Sequence, residues 1–470
     1  MIDLRPLCLG LALSFPAVAM DYGQGQPTRS DPVLLANSQG QNHHWSGIGR
    51  LELPGNGHCI GSLIDTRRPD GQADGPAYVV TAGHCVSKQN GVIVHDQPLQ
   101  ASITFNYFAD TLDDRRRFAT RRTLWSSIQG SDLALLELQA PLQHLLDSGI
   151  EPLALAPPLP SGSGVLLVGE VVAMNVGLRR WACTEHDLPV SRTPPSVLRN
   201  LKGADCPRVA EGASGSPILD RASNRIVGVA NHSNGQQIES TPVNRLLDCF
   251  SDGQADLSVD RCHLLPGFQL HQQRSDFKTL HKLSLDAQAH TPLPRWNFGF
   301  TLDTPRYRYK TTRDARACEN PEDYSGTLPA EGTVLIDAPI GPDPGWHYLC
   351  IVGVVSAEGL AWRGLMRNAL SIAVELLPAL PVPSPDLDIE HLENGDIRVA
   401  WRTAPPHLQR YRVKKGKPEQ VDCADPAGYR LLRHEQFVFK QVELPMKLCS
   451  QAEDATKQRS APRTDLLQAR

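Results

Sequence analysis

The chain has 470 residues, of which 40% are hydrophobic and 21% charged, enough for about three domains. Its formal net charge of −4 excludes a basic nucleic-acid footprint and a polybasic membrane patch. Past the first residues, no apolar run is long enough for a membrane-spanning helix.

The start, "MIDLRPLCLGLALSFPAVAM", has an apolar run from Leu7 to Phe15 that is too short to cross a bilayer. Ala17-Val18-Ala19 has the small-x-small form of a signal peptidase site, so residues 1–19 read as a signal peptide. The protein is then expected to be secreted or periplasmic. Residues 20–44 form an N-terminal segment or a propeptide. The adjacent His43 and His44 lack carboxylate or cysteine partners and read as solvent-facing, not as a metal pair.

Signal removal takes away Cys8 and leaves Cys59, Cys85, Cys183, Cys206, Cys249, Cys262, Cys318, Cys350, Cys423 and Cys449. An even set in an exported chain predicts disulfides, and no C-x-x-C pair suggests zinc. Spacing alone leaves the connectivity open. Pairing between sequence neighbours would give five local loops, each within one domain or the junction proposed below.

From about Gly40 to Phe250, short β-type runs alternate with turns: "AYVVTA" (77–82), "ASITFNYF" (101–108), "LALLEL" (133–138), "VLLVGEVV" (165–172) and "RIVGVAN" (225–231). Many short strands with regular punctuation predict a barrel or sandwich. The mixed-charge run "DDRRRFATRR" (113–122) reads as a solvated loop. Three motifs within this region carry chemistry. "VVTAGHC" (79–85) supplies His84, "GSDLALLEL" (130–138) supplies Asp132 at the head of an apolar strand, and "EGASGSPI" (211–218) supplies Ser214. A serine hydroxyl is a weak nucleophile until an imidazole takes its proton, and a buried carboxylate fixes that imidazole's tautomer and orientation. Glycines around the serine let backbone N–H groups, here those of Gly212 and Ser214, converge on a developing oxyanion.

"TAGHC", "SDLALL" and "GASGSP", in that order, resemble the chymotrypsin/trypsin-type serine endopeptidases; "HCIGSLI" (58–64) adds to the likeness. The resemblance covers about Trp45 to Phe250. It implies two orthogonally packed six-stranded β-barrels, a Cys59–Cys85 disulfide, His84 as general base, Asp132 as orienting acid and Ser214 as nucleophile. Ala213 stands where trypsin-like zymogens carry an aspartate that pairs with a new N-terminal ammonium. "GASGSP" instead resembles bacterial secreted relatives, including glutamyl endopeptidases, so the oxyanion hole is expected not to need that ammonium. Counting back six from Ser214 places Arg208 at the base of a specificity pocket, where it would reject basic side chains; the alternative is a solvated loop. His232 would stand near the pocket wall. Asn231-His232-Ser233 has the glycosylation form, against which its strand position argues.

Residues 251–294, polar and rich in His and Gln, read as a junction. Beyond it, "RYRYK" (306–310) leads to "CENPEDY" (318–324), and "RYRVK" (410–414) leads to "CADPAGY" (423–429). Two matched motifs in the same order predict two copies of one all-β module, over 295–377 and 387–470, joined by a proline-rich linker over 378–386. The modules resemble fibronectin type III or immunoglobulin-like sandwiches. The expected architecture is thus all-β: a chymotrypsin-like double β-barrel followed by two β-sandwich modules.

The expected function is a secreted serine endopeptidase acting on a protein or peptide through an acyl-enzyme, with no cofactor or metal. The C-terminal modules would bind a cell surface, a matrix or the substrate, or act as spacers. Two alternatives stay open: a non-catalytic adhesion protein on a peptidase-like scaffold, and an esterase using the same three residues. The order His, Asp, Ser and the all-β pattern disfavour the α/β-hydrolase kind of esterase.

Overall fold

A computed structural model describes residues 21–170, 176–210, 212–284, 292–356, 363–402 and 408–469. Residues 1–19, expected as a signal peptide, and Glu211 lie outside them. The chain divides into two compact units. The first comprises residues up to Gln272 with Thr301–Gly332 and Leu349–Ile372; the second comprises Gln273–Phe300, Thr333–Tyr348 and Ala373–Arg470. Residues 295–377, expected as one module, are therefore shared between the units.

The first unit opens with β1 (Val33–Leu34), followed by β2 (Ile48–Glu52), β3 (His58–Leu63), β4 (Pro76–Thr81), β5 (Val94–Pro98), β6 (Ser102–Phe105), β7 (Arg116–Ser127) and β8 (Leu133–Pro141). Antiparallel pairing runs β2–β3–β4–β8–β7–β6 and returns to β2, which closes a six-stranded barrel; β5 pairs with β7 outside this ring. After the short helix α1 (Leu142–Asp147) come β9 (Gly164–Gly169), β10 (Arg179–Thr193), β11 (Ser196–Ala204), β12 (Pro217–Asp220), β13 (Ile226–Ser233), β14 (Ile238–Pro242) and helix α2 (Asn244–Leu247). The order β9–β10–β11–β14–β13–β12, closing on β9, makes a second six-stranded ring.

The period of two along a strand explains how the barrels fill and join. In β4, Val79 packs inside the first barrel with Leu51, Ile103 and Leu136, while Val80 points outward to a cluster shared by both barrels. In β9, Val165 and Leu167 fill the second barrel, while Leu166 and Val168 join the shared cluster. Strands buried on both faces read as unbroken apolar runs, which is why "VLLV" and "LALLEL" carry no polar alternation. Each such side chain contributes about 1.5–3 kcal/mol of transfer free energy.

Several segments depart from the sequence expectations. The arginine-rich run is part of β7, not a loop. Arg121 and Arg122 both bond the buried Glu137 carboxylate, at 2.7 and 2.8 Å, so the charges are partnered across the sheet. Residues 251–272 are more than a polar junction, because Leu257, Cys262 and Leu264 enter the shared core. The segment 21–44 packs on the second barrel: β1 pairs with β10, and Leu35 is buried in the shared core. The Asp21 carboxylate takes two bonds from Arg221, at 2.6 and 2.7 Å, which hold its carboxyl well below the ordinary range. His44 is not solvent-facing. It is half-buried against the rings of Tyr22 and Trp45, and burial pushes its imidazole down to about 4.

The β10–β11 hairpin extends past the barrel, pairing from Glu185↔Ala204 to Thr193↔Ser196. Glu185 is buried, and Lys202 Nζ stands 3.8 Å from its carboxylate. Burial outweighs this attraction and pushes the Glu185 carboxyl up from 4.5 to about 7. The native state therefore binds more protons than the unfolded chain across that window, and its stability falls as pH rises through it. Glu185→Gln is expected to raise the melting temperature at pH 8 by relieving up to about 3 kcal/mol. Near pH 4 it is expected to match wild type. Thermal melts across pH 4–8 check this, and parallel curves for the two proteins would refute it.

Five disulfides join sequence neighbours: Cys59–Cys85, Cys183–Cys206, Cys249–Cys262, Cys318–Cys350 and Cys423–Cys449. The two matched C-terminal motifs have matched local geometry. Tyr324 donates its hydroxyl to Cys318 O at 2.8 Å, and Tyr429 donates to Cys423 O at 2.8 Å. Lys310 and Lys414 lie over those tyrosine rings, at 4.7 and 5.7 Å. In the second unit, Leu387–His391, Ile397–Trp401 and Gln436–Phe439 form one sheet. Arg430–Leu431, Leu408–Gly416, Met446–Asp454 and Arg463–Leu467 form another. Ile397, Val399 and Phe439 of the first sheet and Leu448 and Leu467 of the second share a core, which is a sandwich arrangement.

Candidate active site

His84 sits in a single 3-10 turn, Gly83–Cys85, directly after β4. That turn lies close against β7 and β8: a Cβ on Gly83 would stand 2.1 Å from Ser127 O and 2.9 Å from Leu133 N. The Cys59–Cys85 disulfide ties the turn to β3. Asp132 immediately precedes β8 and meets His84 at two points. One carboxylate oxygen accepts the His84 backbone N–H at 2.8 Å; the other lies 2.7 Å from Nδ1. The Asp132 side chain is 8% exposed and that of His84 27%, so the carboxylate is enclosed while the imidazole edge reaches solvent.

Two residues that motif reading passed over support this carboxylate's backbone. Asn231 donates through Nδ2 to Asp132 O at 2.7 Å. Thr241 Oγ1 accepts the Asp132 N–H at 3.2 Å and donates to Asn231 Oδ1 at 3.1 Å. The sequence signal was a polar Asn in an otherwise apolar strand. Its burial and these bonds explain it without glycosylation.

Ser214 lies in the turn before β12. Ile60 of β3 donates its N–H to Ser214 O at 2.8 Å, and Gly215 N–H goes to Ala230 O at 2.8 Å, so the turn is pinned to both barrels. Gly212 and Gly215 have φ of 99° and 85°, left-handed conformations that side chains rarely adopt. Among the described residues, no acceptor takes the N–H of Gly212 or of Ser214. Ala213 is 2% exposed in the second barrel's core, in a cluster that includes Trp181, Val209 and Ile238. An unpaired carboxylate would be costly there, and a methyl group packs. The Ser214 hydroxyl donates to Asn231 O at 3.3 Å, and among the described residues it makes no hydrogen bond to His84.

A cavity of about 400 Å³ adjoins His84, lined also by Asp132, Leu198, Asn231, His232 and Glu239. The β10–β11 hairpin forms one of its walls. His232 lines the same cavity as His84. Arg208 does not: its side chain is 75% exposed and bonds Asp31 at 3.1 Å. The count back from Ser214 assumed a loop of trypsin length, and the structure puts Arg208 on the solvated surface instead. The sulfurs nearest His84 are both in the Cys59–Cys85 disulfide, so they are not free to ligate a metal.

The description "Trypsin-like peptidase domain" fits residues 61–229 as a family match, a span that includes His84, Asp132 and Ser214. Among solved structures, the Vibrio cholerae VesB protease is similar at 14% identity, with a TM-score of 0.32, covering 74% of this chain and 98% of its own. The protease Anisep from Arthrobacter nicotinovorans is similar at 16% identity, with a TM-score of 0.31, covering 42% of this chain and 90% of its own. A thermostable serine protease, AL20, from an extremophilic microorganism is similar at 14% identity, with a TM-score of 0.30, covering 43% and 92%. Likenesses at these scores carry no argument; the family match and the geometry of the chain do.

Proposed function

We propose that the protein is an exported serine endopeptidase in which Ser214 is the nucleophile, His84 the general base and Asp132 its orienting acid. The observation that carries this reading is the two-point grip of Asp132 on His84, at 2.8 and 2.7 Å, with Asn231 bonding both Asp132 and the Ser214 hydroxyl. With Nδ1–H held by the carboxylate, Nε2 is the basic nitrogen. Ser214 Oγ leaves Asn231 O, gives its proton to Nε2 and attacks the peptide carbonyl carbon. The carbonyl oxygen gains the negative charge, and the unclaimed N–H groups of Gly212 and Ser214 receive it. His84 then passes its proton to the departing amine. Water repeats the sequence on the acyl-enzyme and frees Ser214. The buried Ala213 supports an oxyanion hole shaped by packing, without an N-terminal ammonium. The second unit is the candidate for binding a surface or a substrate.

The test is covalent labelling by a fluorophosphonate probe, with Ser214→Ala as control. Wild type beginning at residue 20 is expected to label without further cleavage, and the variant is expected not to. A folded, disulfide-bonded wild type that stays unlabelled both before and after trimming would sink the peptidase reading. Labelling only after trimming near residue 40 would sink the reading of Ala213.

A further inference from the structure

The turn that carries Asp132 is held from outside both barrels. Its flank, Gln129 to Ser131, is buried, yet its side-chain partners are not barrel residues alone. Gln129 Nε2 donates to Asn368 O. Ser131 Oγ accepts from Arg245 Nη1 at 2.5 Å, and Arg245 Nη2 donates to Asn368 Oδ1 at 2.9 Å. Asn368 is 0% exposed and is itself fixed, its Nδ2 donating to Gly364 O at 2.7 Å and to His263 O at 3.2 Å. It directly follows the short helix Arg363–Arg367, more than a hundred residues beyond the last barrel strand.

Arg245 is an unusual residue for this place. Its side chain is largely enclosed but not wholly shut off from solvent, and no carboxylate lies within ion-pair distance of it among the described residues. Burial pushes its guanidinium down to about 10, so it remains charged at neutral pH. A buried charge is costly unless its donors are received. Here the Ser131 hydroxyl and the Asn368 amide oxygen receive its two terminal nitrogens, while Nε has no hydrogen-bond partner among the described residues. Arg199 of β11, itself buried, holds the same segment as well. It bonds Arg367 O and Ala369 O, both at 3.0 Å, as well as Ser371 Oγ, and pairs with Glu319 at 3.1 Å. Its own backbone N–H goes to Gly130 O at 2.9 Å. All these groups belong to the first compact unit.

We propose that Arg245 and Asn368 are positioning residues, which hold the Gln129–Asp132 turn so that Asp132 keeps its two-point grip on His84. On this proposal the segment 363–371 is part of the catalytic apparatus, not of a detachable module. It rests on the serine peptidase reading. Neither residue touches substrate; both act through Ser131 and the backbone beside Asp132.

The experiment is steady-state hydrolysis of p-nitrophenyl acetate by the full exported chain. Arg245→Met is expected to lower kcat by about 30-fold, within the range of a misoriented general base, and to change KM by less than about twofold. Asn368→Leu is expected to match it, and the double variant to be no slower than either single one. General loosening would instead give additive losses and a raised KM, and that result would overturn the proposal. So would folded variants with wild-type kcat. If Arg245→Met does not fold, Gln129→Ala carries the same expectations and the same power to refute. A wild type that neither turns over the ester nor labels at Ser214 sinks the peptidase reading itself; an active wild type with unaffected variants sinks only the brace.

Discussion

An Asp132→Asn variant is expected to fold and to lose about four orders of magnitude in kcat, the scale on which a wrong imidazole tautomer acts. The structure gives the reason. One Asp132 oxygen accepts the His84 backbone N–H at 2.8 Å and the other faces Nδ1 at 2.7 Å. An asparagine has one acceptor and one donor where the carboxylate has two acceptors. If its oxygen stays on the backbone N–H, its NH₂ faces Nδ1 and makes that nitrogen the acceptor. The ring proton then sits on Nε2, where the serine proton has to go. The backbone bonds from Asn231 and Thr241 do not involve the carboxylate and keep the loop in place. Ester turnover and fluorophosphonate labelling should fall together while the melting temperature holds. A loss smaller than about tenfold would remove Asp132 from the mechanism.

Gly215→Ala is expected to prevent the peptidase unit from folding to an active state. A Cβ at this position would stand 2.0 Å from Ile60 O and 2.3 Å from Thr81 Oγ1, in a backbone conformation with φ of 85°. Neither neighbour can withdraw, since Thr81 Oγ1 donates to Ile60 O at 2.7 Å and Ile60 N–H holds Ser214 O at 2.8 Å. Relieving the clash means separating the serine turn from β3. The expected cost exceeds about 4 kcal/mol, the range reserved for core and backbone conflicts. Gly235→Ala is the matched control. It has a similar φ of 83° but open space around the added methyl, and its cost is expected to be about 1 kcal/mol. Denaturant unfolding of the two variants, with labelling at Ser214, separates steric blockade from the conformational penalty alone. Equal behaviour of the two would show that the contact at Ile60 does not matter.

What the sequence disclosed follows from how local each signal is. His84, Asp132 and Ser214 stand in short motifs whose order is itself informative, and the barrel strands are contiguous apolar runs. The cysteine pairs lie 13 to 32 residues apart, close enough for neighbour pairing to be a natural expectation. Arg208 failed as a pocket residue because a count along the chain takes a loop length for granted. His44 and the 251–272 stretch were misjudged because polar composition hides the few side chains that turn inward. The contacts around Ser131 were illegible for another reason. Nothing in "RNALS" (367–371) marks it as a partner of "QGSD" (129–132), and only the folded chain brings the two together.

That pairing has a temporal side. Gln129 and its partner Asn368 are separated by 239 residues, and a ribosome delivers the chain from the N-terminal end. At ordinary elongation rates, roughly 10 to 50 seconds pass between the emergence of one and the other. Throughout that interval the residues of both barrels are already made, while the turn bearing the acid lacks its partner at Asn368. Hydrolytic competence would then arrive late, as one of the last events in the chain's birth, after most of the polypeptide it could damage has already folded.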